Sequence, residues 1–192
     1  MPLTPRRRFR RPFLLAAGVA CAAALTDLSA MWQDSKSAPL AKELVLVLDT
    51  AKLDSIAAAD PAMPGGFVAA IYIPGTQLLV VSAKYSVPTL LVEKLNAGDF
   101  RGVYMDLHAA GVPGSRVFVQ DLEADGLISR SSGLADSWDE GDKSVSFDGA
   151  WKKAKMTEEG YTKAFTEADA RYTKMLSALL AQAKQHKAKA GS

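Results

Sequence analysis

The chain has 192 residues, 48% of them hydrophobic and 23% charged, enough apolar content for one packed domain and too much for a chain disordered throughout. Its formal net charge of +2 misleads, because Arg6, Arg7, Arg8, Arg10 and Arg11 form one block near the start. Without residues 1–30 those five arginines and Asp27 are gone and the remainder is mildly acidic, which excludes the broad basic face that nucleic-acid binding needs.

Behind the arginine block, Pro12 to Leu25 carries no charge and ends in small residues. A basic, then apolar, then small-residue order is that of a secretory signal, so residues 1–30 are predicted to be a signal peptide that exports the protein to the periplasm or beyond. Leu28-Ser29-Ala30 offers one cleavage site, and cuts after Ala22, Ala23 or Ala24 stay open. The apolar run is shorter than the roughly 20 residues of a transmembrane helix. Membrane association is therefore expected only through an uncleaved signal or through lipidation of Cys21.

Arg6-Arg7-Arg8-Phe9 resembles a twin-arginine signal, yet Arg10 and Arg11 stand where apolar residues belong, which favours the general export route. Val19-Ala20-Cys21-Ala22 resembles a lipoprotein acylation box, with Gly18 in the usual place of leucine. Cys21 is the only cysteine, so the domain has no internal disulfide to form and rests on core packing.

Residues 31–38 read as a polar linker, 39–185 as a single α+β domain and 186–192 as a flexible tail. From Pro39, Leu40, Leu44, Val47, Leu48 and Ala51 recur at helical spacing, which predicts a helix continuing through Ala57 to Ala59 and stopping at Asp60-Pro61. Leu44 to Leu48 would also suit a buried strand. Phe67 to Ile73 and Gln77 to Ala83 read as strands joined by a type II turn at Pro74-Gly75.

Val87 to Ala97 has helical spacing, Phe100 to Ala109 alternates as a strand does, and Arg116 to Leu122 is a further strand. Glu123 to Asp142 loses all periodicity and reads as a long surface loop, followed by one more strand from Lys143 to Phe147. Thr157 then caps a long helix with the apolar stripe Tyr161, Phe165, Ala168, Tyr172, Met175 and Leu179. The predicted fold is α+β: a small antiparallel split β-barrel or sheet flanked by an N-terminal helix and a long C-terminal helix.

The order of strand, Pro-Gly turn, strand ending in Ser82-Ala83-Lys84, short helix, Val103 to Leu107 and a long returning strand resembles the pyridoxamine 5'-phosphate oxidase-like, FMN-binding split barrel over about residues 67–127. That resemblance implies an FMN phosphate held at Ser82, Lys84 and Ser86, and an FMN-dependent oxidoreductase. The chain departs from the family in lacking an arginine pair on the neighbouring strand, and export is unusual for such an enzyme. The residues themselves call for no cofactor; FMN enters through the resemblance alone.

His108 has no serine elbow or mature cysteine to work with, so it reads as a solvated strand histidine. Asp136, Asp139, Glu140 and Asp142 lack the alternate-position spacing of a calcium loop and read as a solvated acidic loop, with no metal expected. Trp151 beside Lys152, Lys153 and Lys155 reads as a packing anchor. Three functional classes follow: a non-catalytic module binding a small molecule or a protein partner, the flavin oxidoreductase, and an interaction protein that uses the C-terminal stripe in a homodimer.

Overall fold

The computed structural model describes residues 35–84, 116–127, 135–141, 143–147 and 155–190. The predicted signal peptide, the predicted helix 87–97, the predicted strand 100–109, Ser86, His108, Trp151, Lys152 and Lys153 lie outside the described residues.

The first helix, α1 (Ser37–Ala51), begins where a distant carboxylate supplies acceptors for its start. Asp169 accepts from the backbone N–H groups of Lys36 (2.8 Å) and Ser37 (3.1 Å), and from the hydroxyl groups of Ser37 (2.6 Å) and Ser35 (3.2 Å). A negative charge there satisfies orphan donors and complements the helix dipole. Ser35 to Ser37 therefore belong to the packed domain rather than to a linker. Ala41, Leu44 and Leu48 form the buried face of α1.

The helix stops at Lys52, whose φ of 57° reverses the chain; Lys52 N–H donates to the Asp49 carbonyl and Leu53 N–H to the Leu48 carbonyl at 2.9 Å. This is the hydrogen-bond pattern of a Schellman end. The expected continuation of helix to Ala59 is thus corrected: Ser55–Ala59 is strand β1, with Ile56 and Ala58 against the core. Pairing with the next strand outweighs the helical preference of an alanine run.

Strands β2 (Phe67–Ile73) and β3 (Gln77–Ala83) form the expected hairpin. Gly75 has a φ of +70° and Thr76 N–H donates to the Ile73 carbonyl at 3.0 Å, as a type II turn requires. β4 (Arg116–Leu122), β5 (Asp136–Glu140) and β6 (Lys143–Phe147) follow, and all six pair antiparallel in the order β1-β2-β3-β4-β5-β6. Among the described residues the sheet is open, not closed into a barrel.

β5 corrects the reading of 123–142 as loop throughout. Asp136 and Trp138 are buried, so the strand turns a carboxylate and an aromatic inward and hides the usual alternation.

Register aligns inward residues into rows. Ala58, Val68, Ser82, Val117, Glu140 and Lys143 lie in one cross-strand row; Ile56, Ala70, Val80, Val119, Trp138 and Val145 lie in the next. Over this face and α1 packs α2 (Glu158–Ala190), with Thr157 Oγ accepting from Gly160 N–H at 3.1 Å. The whole predicted stripe from Tyr161 to Leu179 is buried, and Phe147 meets the rings of Tyr161 and Phe165 edge-on at 5.7 and 5.6 Å. Ala69, Ile71 and Val81 form a smaller apolar cluster on the opposite face. Among the described residues no helix is long and apolar enough to cross a membrane.

Candidate functional site

Besides the Asp169 group at the start of α1, two buried polar groups and a cleft stand out among the described residues. The first group joins the β1–β2 connection, β3 and α2. Ser82 Oγ, fully buried, donates to Asp60 Oδ2. Arg171 Nη2 lies 3.3 Å from the same Asp60 oxygen and 3.4 Å from Ser82 Oγ, while Asp60 Oδ1 accepts from Ala62 N–H at 2.7 Å. Arg171 Nε is buried and has no acceptor among the described residues.

Ser82 is thus held by a carboxylate, and a phosphate placed there would meet the charge of Asp60. Lys84, just beyond β3, is exposed. Of the three residues expected to cradle a phosphate, Ser82 faces the core and Lys84 faces solvent, with Ser86 outside the described residues.

The second group lies at the far end of the inner face. Asp121 accepts from Asp125 N–H (3.0 Å), from Gly126 N–H (3.2 Å) and from the Tyr172 hydroxyl (2.9 Å), and Asp136 Oδ1 accepts from Leu122 N–H (2.8 Å). One carboxylate oxygen each from Asp121, Asp125 and Asp136 lie within 4.8 Å of one another. Burial, above all, holds the Asp121 carboxyl well above the usual carboxylate range, with the Asp125 charge adding to it against the opposing hydrogen bonds. Burial and then the Asp121 charge push the Tyr172 hydroxyl well above its ordinary value.

Chemically, such a set can share a proton or hold a hard divalent cation. The sequence carried an unread signal for part of it: Asp121-Leu-Glu123-Ala-Asp125-Gly126 approaches the D-x-D-x-D-G pattern of calcium loops, with Glu123 at the third position. The acidic residues singled out from the sequence were Asp136, Asp139, Glu140 and Asp142. Of those among the described residues, Asp136 joins the cluster, brought to Asp121 by the β4–β5 pairing, and Asp142 lies outside the described residues.

The cleft opens between the β5–β6 hairpin and α2 and has a volume of about 440 Å³. Trp138, Val145, Phe147 and Met156 give it an apolar lining, and Ala164 and Ala168 keep the helix wall low. Glu140 and Lys143, cross-strand partners, border it, as do Glu167 and Arg171, one turn apart on α2. Volume, apolar lining and a few polar groups are the features of a small-molecule site. Of these residues the sequence singles out Glu140 alone as a site candidate, and that as part of an acidic loop, because the cleft is assembled by register and helix packing between positions up to 33 apart. Compared with protein-family models, with curated proteins and with solved structures, the chain gives no match.

Proposed function

We propose that this chain is a non-catalytic module of an exported protein and that it binds a small molecule in the cleft between β5, β6 and α2. The cleft of about 440 Å³ lined by Trp138, Phe147 and Met156 carries the reading. It lies within the ~300–1,000 Å³ range of ligand pockets and combines an apolar floor with charged groups at its border. Export rests on the arginine block and the uncharged run from Pro12 to Leu25.

A two-dimensional NMR screen of the full chain against a chemically varied fragment library tests the binding role. Shifts concentrated at Trp138, Val145 and Ala168 are expected for bound fragments, and a library that leaves all three unmoved sinks the reading. Mass spectrometry of protein purified from its native source tests export, with a new N-terminus between residues 23 and 31 as the expected result.

A further inference from the structure

We infer that the ligand of this cleft is an uncharged, largely apolar molecule; the inference rests on the cleft being the binding site. The lining divides by depth. Trp138, Phe147 and Ala168 are buried, Val145, Met156 and Ala164 are half-buried, and all six are apolar in character. Glu140, Lys143 and Glu167 are all exposed. A molecule that reaches the floor therefore meets hydrocarbon, aromatic rings and a thioether, while the charges of the three exposed residues stand where water screens them.

The polar groups nearer the interior are already engaged. Arg171 Nη2 donates to Asp60 and Ser82, and Trp138 Nε1 donates to Glu140 at 3.4 Å. Lys143 and Glu140, opposite in sign, are cross-strand partners. An ionic ligand would thus give up hydration on entering and find no counter-charge reserved for it, a cost that an uncharged molecule of the same shape does not bear. Affinity then follows the apolar area removed from water. Met156, flexible and polarisable, and the low helix wall at Ala164 and Ala168 suit apolar bodies of more than one outline.

Calorimetric titration of the full chain at neutral pH with 3-phenyl-1-propanol, 3-phenylpropionate and 3-phenylpropylammonium holds the apolar body constant while the charge changes, with Trp138 indole shifts locating each event. The expected result is that the alcohol binds at least about tenfold more tightly than either ion. Ala164→Leu puts a larger side chain at a half-buried lining position and should weaken the alcohol several-fold; a folded variant that binds it unchanged overturns the placement on the apolar lining. Equal or tighter binding of either ion at Trp138 overturns the inference and leaves small-molecule binding standing. If none of the three moves the Trp138 indole, the fragment screen decides: bound fragments that carry a charge overturn the inference, bound uncharged ones sustain it, and a screen that moves nothing removes the cleft as the site.

Discussion

Arg171 Nη2 lies 3.3 Å from Asp60 Oδ2, tying the middle of the long C-terminal helix to the connection between the first two strands. The Asp60 side chain is fully buried, so its charge depends on that guanidinium, on Ser82 and on Ala62 N–H. Removing one partner leaves the other charge poorly compensated in the interior.

Arg171→Met is therefore expected to destabilise the fold by about 3–5 kcal/mol. Asp60→Asn combined with Arg171→Met should recover part of that loss. A double-mutant cycle by urea denaturation measures the coupling, and strictly additive losses would show that the two side chains do not interact.

Asp169→Ala should cost about 2–4 kcal/mol, because it removes a helix cap and strands the buried donors of Ser37. Asp169→Asn keeps one acceptor oxygen and should recover a fraction of it. Far-ultraviolet circular dichroism during denaturation checks both; an Asp169→Ala midpoint equal to that of the parent contradicts the capping role.

Asp121 binds its proton more tightly in the folded protein than in the unfolded chain. The folded state consequently holds more protons above the unfolded aspartate pKa of about 3.9. Stability from this group is complete below that value and is lost as pH rises through the higher folded value. Asp121→Asn should flatten this decline by at most about 1.4 kcal/mol per pH unit over the range above about pH 4. Thermal melts across that range are the measurement, and an unchanged slope in the variant would count against a buried protonated Asp121.

Gly126 has a φ of +110°, and a Cβ added there would sit 2.9 Å from Ala38 Cα in the first turn of α1. Gly126→Ala should cost at least ~2 kcal/mol from backbone strain and overlap together. Gly75→Ala, where nothing lies within 4 Å, meets the strain alone and should cost less. Chemical denaturation of the two variants side by side gives the comparison; a larger loss at Gly75 would refute it.

Much of the fold was legible wherever a local pattern and the tertiary contacts agree. Pro74-Gly75 marks its turn by chemistry alone, and the stripe from Tyr161 to Leu179 repeats often enough to define one helix face. Ile56 to Ala58 was illegible as strand because the helix ends at a left-handed lysine, a conformation that sequence assigns first to glycine. Asp136 and Trp138 are illegible as inward residues because one of the two is an acid, and its burial depends on pairing that brings it donors such as Leu122 N–H. The cleft shares this cause: Trp138, Lys143 and Arg171 meet only through pairing and packing, whereas Asp121 and Asp125 carried a local spacing that could have been read.

The long helix α2 also sets a clock on biosynthesis. The six strands among the described residues precede it in the chain, yet Tyr161, Phe165, Tyr172 and Leu176 supply much of the cover for their inner face. At ~5–20 residues per second of translation, its 33 residues take about 2–7 s to make. Any sheet that forms in that interval lacks the cover of α2 over Val68, Val80, Val119 and Trp138, which leaves apolar surface for a chaperone to shield.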